Sequence, residues 1–346
     1  MELLPLSHYV RRLRPDLAPA VFAPARSRLW WLPVHLAIIA VATVALAARW
    51  LPWPLVPVAS LVIGVSFGGI TFVAHETLHG GIVRTGWLKR LVGWIGFAPF
   101  AVSPRLWMVW HNREHHGHTN QVGHDPDMYP ILAVYQSSRT VQVVTDAFSL
   151  GGRRWSGLLS LVFGFTGQSK KILLTARRRG WLSPAAFREV VVETAAAAAL
   201  WLAVAWLVGP LAFLFAYVVP LLVANAIVMG FILTNHGLSP LTEVNDPLAN
   251  SLSVTLPRGL EWLTLGFGYH VEHHLFPAMS TRHAPTVRRL LRAGWPERYQ
   301  SMPLPSALAS LHRTARIYRD AHTLTDPRSG RSWPTLGAGP ATVTAP

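Results

Sequence analysis

Four stretches of this chain, 29–48, 55–74, 190–208 and 211–234, are apolar over about the 20 residues that a helix needs to cross a bilayer. Trp30 and Trp31 stand at one end of the first, and Trp50 and Trp53 at the other, where aromatic rings suit the two interfaces. Gly64, Gly68 and Gly69 in the second permit close helix contact. A turn near Pro52 and Pro54 joins the first pair, and Gly209-Pro210 joins the second. The pattern predicts an all-α integral membrane fold: four transmembrane helices in two hairpins, with 75–189 and both termini on one side. Two shorter apolar stretches, 91–102 and 158–165, are expected to be interfacial or re-entrant helices that roof this side. The expected organisation is an N-terminal segment 1–28, a membrane domain 29–322, and a disordered tail 323–346 rich in Pro, Gly, Ser and Thr.

Composition agrees with a membrane protein. Charged residues make up 14% of the chain, against about 25% in soluble domains. The absence of Cys removes disulfides, thiolate zinc sites and iron–sulfur clusters. A net charge of +15 raises nucleic-acid binding. The cations, however, flank apolar segments and form no separate basic domain, so no nucleic-acid partner is expected. The tight turns carry almost no positive charge, Arg49 excepted, whereas the other side carries Arg11, Arg28, Arg84, Lys89, Lys170, Lys171, Arg177, Arg178, Arg179 and Arg288 among others. The positive-inside rule makes that side cytosolic, with both termini and the site there. The Arg and Ala bias points to a bacterial inner membrane. A basic cytosolic face would attract anionic lipid, a phosphate-bearing carrier or an acidic electron donor.

Histidines supply the candidate chemistry. His75-Glu76-Thr77-Leu78-His79, His111-Asn112-Arg113-Glu114-His115-His116 and His270-Val271-Glu272-His273-His274 form three clusters at metal-ligand spacing, and His236 follows the fourth apolar run. Imidazole binds metals when neutral. One four-coordinate zinc would leave about half of these histidines unused, so the set suggests a dinuclear site, and the topology puts every cluster on one side. On a helix, positions i and i+4 share a face, which pairs His75 with His79 and His111 with His115, and rotates His116 by about 100°. His270, His273 and His274 are expected to converge. An adjacent His-His pair cannot aim at one atom from a regular helix but can serve two metals. Glu76, Glu114 and Glu272 are candidate partners for the second N–H of the ligating imidazoles. His118 and His124 border the second cluster. Phe67, Trp107, Trp110 and Phe267 are candidates to line an apolar channel.

HETLHG at 75–80, HNREHHGHTN at 111–120 with HDPD at 124–127, and GYHVEHHLFP at 268–277 resemble the three histidine boxes of the membrane fatty acid desaturase and hydroxylase superfamily. The resemblance extends over residues 30–295 and implies a non-haem di-iron centre, O2 as co-substrate, a lipid acyl substrate carried by CoA, acyl carrier protein or a glycerolipid, and membrane lipids as surroundings. It also implies an external electron donor, such as ferredoxin or a cytochrome with its reductase, and a ligand after the fourth helix, where His236 stands. In some members an Asn one turn earlier holds a metal-bound water. Here that position is Ile232, while Asn235 adjoins His236. With Asp125 and Asp127, Asn235 completes the supporting candidates. The expected activity is acyl desaturation. Carotenoid ketolase or hydroxylase, or lipid or alkane hydroxylase, is the alternative, since carotenoid ketolases carry a similar DPD. A zinc protease reading of His75-Glu76-Thr77-Leu78-His79 leaves the other two clusters unexplained. A metal carrier lacks an ionisable residue in mid-span of the second to fourth segments.

Overall fold

A computed structural model describes residues 2–148, 157–314 and 316–337. The described chain is mostly helical. A short α1 (Leu6–Leu13) is followed by α2 (Trp31–Ala47), α3 (Val56–His79) and α4 (Gly86–Phe97). Next, α5 (Pro104–Trp107) passes directly into a π-helical segment, Met108–His115. Then come α6 (Leu132–Ser137), α7 (Arg139–Phe148), α8 (Gly157–Thr175), α9 (Pro184–Val208), α10 (Pro210–Phe213) and α11 (Val219–His236). The remainder alternates short helices, α12 (Pro247–Asn250), α13 (Arg258–Leu263), α14 (His270–Leu275), α15 (Ala284–Gly294) and α16 (Leu304–Arg313), with five short strands.

Four helical stretches are long and apolar enough to cross a membrane: Pro19–Ala47, Trp53–His79, Pro184–Val208 and Pro210–His236. The second and fourth run beyond the apolar residues that predicted them, so their last turns carry His75, His79 and His236. Gly80, in the left-handed region at φ 91°, ends α3 directly after His79. The central helix is α3, which packs along α2, α4 and α11. Small residues let it do so: a Cβ on Gly64 would lie 2.6 Å from Val223 Cβ, and one on Gly69 would lie 2.2 Å from His35 Nε2. On α9 the outer face is bare and apolar, with Leu202 and Trp206 71% and 84% exposed, as suits lipid contact.

Two sequence expectations change here. The helix expected at 158–165 is α8, which is 19 residues long and lies along α11. It continues because its polar half finds partners: the Thr166 N–H donates to Asn225 Oδ1, Gln168 Nε2 to Asp127, and Lys170 Nζ to the Phe100 and Ala101 carbonyls. The second concerns the tail, where disorder was expected from 323. Thr323–Thr325 (β4) instead pairs antiparallel with both Ile317–Asp320 (β3) and Ser332–Pro334 (β5). Leu324 and Tyr318 of this sheet pack with Leu241 in a small core, which a compositional reading of the tail does not register. Residues 338–346 lie outside the described residues. The other strands, Ser253–Thr255 (β1) and Ser301–Pro303 (β2), pair in parallel. The N-terminal segment is tied down as well: Tyr9 Oη donates to Asp246 Oδ1 at 3.0 Å, and Arg298 ion-pairs with the same carboxylate.

Candidate metal centre

The C-terminal ends of α3 and α11, the π-helical segment and α14 meet at one place, and eight imidazoles there fall into two groups of four. His75, His79, His111 and His273 form one; His115, His236, His270 and His274 form the other. Within each group the candidate ligand atoms lie within 4.8 Å of one another. His116 sits between them: its Nε2 is 3.2 Å from His111 Nε2 and 3.1 Å from His273 Nε2, and its ring stacks on His274. The nine histidines are therefore all brought together.

The helix type explains how neighbours in sequence reach different groups. In the π-helical segment the backbone bonds run from i to i+5, as in the bond from the His116 N–H to the His111 carbonyl. The wider turn brings His116 beneath His111, not about 140° away from it as a regular helix requires. On α14 the i,i+4 pair His270 and His274 joins one group and His273 the other, so the three do not converge on a single point.

The donor set fits a pair of metal ions. His115 Nδ1 donates to Asp125 at 3.0 Å, His236 Nδ1 to the Asn250 carbonyl at 2.9 Å, and His274 Nδ1 to Thr119 Oγ1 at 3.3 Å. Tying down Nδ1–H leaves the Nε2 lone pairs facing inward. His270 Nε2 then lies 2.6 Å from His236 Nε2 and 3.0 Å from His274 Nε2, and His75 Nε2 lies 3.1 Å from His111 Nε2. Two imidazole nitrogens at that separation need a shared proton or a cation between them. Ligand nitrogens about 2.1 Å from one ion stand roughly 3.0–3.4 Å apart. The His79 Nε2 is buried and has no partner. Burial, followed by neighbouring imidazoles, holds His111, His116, His270 and His274 well below the ordinary histidine pKa, and lowers His273 to about 3. They are neutral at pH 7, the form in which an imidazole can bind a metal.

His115 differs. Burial would lower its pKa, but Asp125, and secondarily Asp127, raise it to about 9. Burial works against Asp125 too, yet His115 and two backbone N–H groups keep its pKa below the usual carboxylate value. Burial pushes Asp127 up to about 6, His115 opposing and Asp125 reinforcing.

The three glutamates do not reach the imidazoles. Glu76 accepts from Arg28 Nη1 at 2.5 Å and from Ser280 and Thr281 hydroxyls. Glu272 accepts from Arg288 Nε, Tyr299 Oη and Ser253 Oγ, and Glu114 pairs with Arg113. Their carboxylates are held by these other partners, so the expectation of glutamate support is corrected to support by Asp125, Thr119 and a backbone carbonyl. The Asn235 side chain is buried with neither polar atom partnered. His118 and His124 stack on each other outside the two groups. Thr119 and Asn250 were missed because nothing local distinguishes them. Only HDPD marked Asp125.

An apolar slot opens onto the imidazoles. His75, His111, His115, His236 and His270 form part of its lining, with Phe72, Phe97, Trp107, Trp110, Phe165, Val228, Ile232 and Phe267. Phe67, expected there, packs instead on Trp201 and Tyr217. Asp127 is the slot's carboxylate, holding Trp110 Nε1 and Gln168 Nε2 at 2.6 Å each.

Comparison with known proteins agrees with this site. The chain is 24% identical over 280 residues to the sn-1 oleoyl-lipid 12-desaturase of Synechocystis sp., an alignment covering 77% of this chain and 76% of the relative. It is 32% identical over 80 residues to the enzyme of the same name in Anabaena variabilis, 23% of each chain. It is 30% identical over 164 residues to the zeaxanthin 4-ketolase of Chlamydomonas reinhardtii, 41% of this chain and 36% of the relative. The sequence profile of the fatty acid desaturases matches residues 51–305, which contain all nine clustered histidines. With four apolar helices and two groups of buried imidazoles at their ends, this chain is a membrane protein and belongs to the fatty acid desaturase family.

Proposed function

We propose that the chain is an O2-dependent membrane desaturase that places a double bond in a lipid acyl chain. The observation that carries this reading is an apolar slot ending at two groups of four imidazoles. Each group would hold one iron, with His116 available between them. The irons, when bound, supply the oxidising power to break an unactivated C–H bond at the expense of O2. The chain supplies the rest. Trp107, Trp110 and Phe267 hold an acyl segment straight beside the imidazoles and exclude water. Asp125 orients His115 and keeps its proton on Nδ1. The overall exchange converts CH2–CH2, O2, two electrons and two protons into CH=CH and two waters, so an external donor must deliver the electrons. Two helical hairpins with a cytosolic helical cap, in a bacterial inner membrane, accord with the cations on the site side.

The test is lipid profiling of cells with and without the gene, supplied with iron and a reductase. A new cis double bond in an acyl pool is the expected result, and unchanged acyl pools refute the reading. A second reading, oxygenation of a carotenoid ring, is favoured by the resemblance to the zeaxanthin 4-ketolase and by Asp125-Pro126-Asp127. Growth under 18O2 separates the two: label enters the product only if oxygen is inserted.

A further inference from the structure

The two groups of imidazoles are not equally deep. All four histidines of the second are buried, whereas His79 and His111 of the first are only partly so. The π-helical segment that carries His111 also carries Arg113, whose side chain is 54% exposed. Arg113 Nη2 donates to the Trp181 carbonyl at 3.4 Å, and the Arg179 guanidinium lies over the Trp181 ring at 5.0 Å. These contacts fasten the loop after α8 to the histidine-bearing segment. The loop brings Arg177, Arg178 and Arg179, all exposed, and the exposed Lys171 lies near Arg179. Glu114 pairs with Arg113. Arg177, Arg178 and Arg179 make no ion pair among the described residues. The result is a cationic surface outside the shallower metal position, with Arg113 two residues from both His111 and His115.

We propose that Arg113, Lys171, Arg177, Arg178 and Arg179 form the docking site for a small acidic protein that donates one electron at a time. The proposal rests on the reading of the site as an O2-consuming centre, which needs two electrons per turnover from outside the chain. The first group, with two partly exposed histidines, is the one nearer to solvent. The cations are spread over an exposed surface and not gathered in a cleft, which matches a protein face better than a single phosphate. Surface charge of one sign raises encounter rates by roughly 10–10³-fold and makes them salt-dependent.

The experiment uses the iron-loaded protein in phosphatidylcholine nanodiscs and a reduced acidic plant-type [2Fe–2S] ferredoxin as probe. Its Kd is measured without acyl substrate at several salt concentrations, for the wild type, the triple variant R177Q/R178Q/R179Q and the single variant R178E. The expected result is a rise in Kd of about tenfold or more in the triple variant, with a flatter salt dependence, and a smaller rise in R178E. Turnover driven by a small neutral mediator is expected to stay unchanged. An equal Kd in all three proteins overturns the proposal. So does a loss of binding to phosphatidylglycerol vesicles with ferredoxin binding intact, which would assign the surface to lipid. Failure of the desaturase reading looks different: ferredoxin binds, but no product forms with either reductant.

Discussion

Replacing Asp125 by Asn isolates what the carboxylate does for one half of the metal centre. His115 and Asp125 side chains are 2% and 1% exposed, and their contact is 3.0 Å. The carboxylate also accepts the Asn120 N–H at 2.7 Å and the Asp127 N–H at 2.9 Å. Asn keeps the shape but loses the charge and cannot accept all three bonds. A hydrogen bond to a charged group contributes about 1.5–3 kcal/mol. The loss of such an imidazole partner lowers metal affinity about 10–100-fold, which is roughly the same energy at 1.4 kcal/mol per decade. Because His115 is the imidazole that Asp125 holds, the loss should fall on the group that also holds His236, His270 and His274. Titration with a competing chelator should then strip about half of the metal from Asp125→Asn at concentrations that leave the wild type full. Equal loss from both positions, or none, would refute the assignment.

The metal-free protein gives the same pair a pH signature. The raised His115 pKa contributes stability that is complete below its ordinary value of 6.5 and is lost as pH rises through about 9. The lowered Asp125 pKa contributes stability present above its ordinary 3.8 and lost in more acid solution. The stability gap between wild type and Asp125→Asn should therefore be widest between 3.8 and 6.5 and narrow towards pH 9 in thermal unfolding. A gap that widens above pH 7 would contradict the ion pair.

Glu272→Ala leaves Arg288 without its buried partner and should cost about 3–5 kcal/mol of stability, read as a fall in Tm; an unchanged Tm would count against the network. A Cβ on Gly96 would sit 2.3 Å from the Ile70 carbonyl oxygen and 2.5 Å from Ala74 Cβ, so Gly96→Ala should destabilise by about 1–3 kcal/mol. Gly230, also helical, has open space where a Cβ would stand, with nothing within 4 Å, so Gly230→Ala should be neutral or gain about 0.4–1 kcal/mol. Val228→Phe narrows the slot and should lower turnover of long acyl chains while metal content by elemental analysis stays at the wild-type level; unchanged turnover would place the substrate elsewhere.

Length and hydropathy alone determined the four apolar helices, because a bilayer demands about 20 apolar residues whatever surrounds them. Local spacing likewise marked eight of the nine histidines, since ligands on one helix turn must recur at short intervals; His236 was marked by its place after the fourth apolar run. The sorting of those histidines was not legible. Which group His273 joins depends on the fold bringing its ring against His75 and His79 of α3, and His116 reaches His111 only because the chain winds as a π-helix there. The glutamates inside the boxes looked like imidazole partners by proximity in sequence, but Arg28 and Arg288, distant in the chain, claim Glu76 and Glu272. The partners that do face the imidazoles, Thr119 and the Asn250 carbonyl, lie 155 and 14 residues from the histidines they meet. Spacing along a chain reports which side chains share a turn; which donor meets which acceptor across the core is decided by burial, where an unpaired polar group is costly and only the folded backbone can supply its partner.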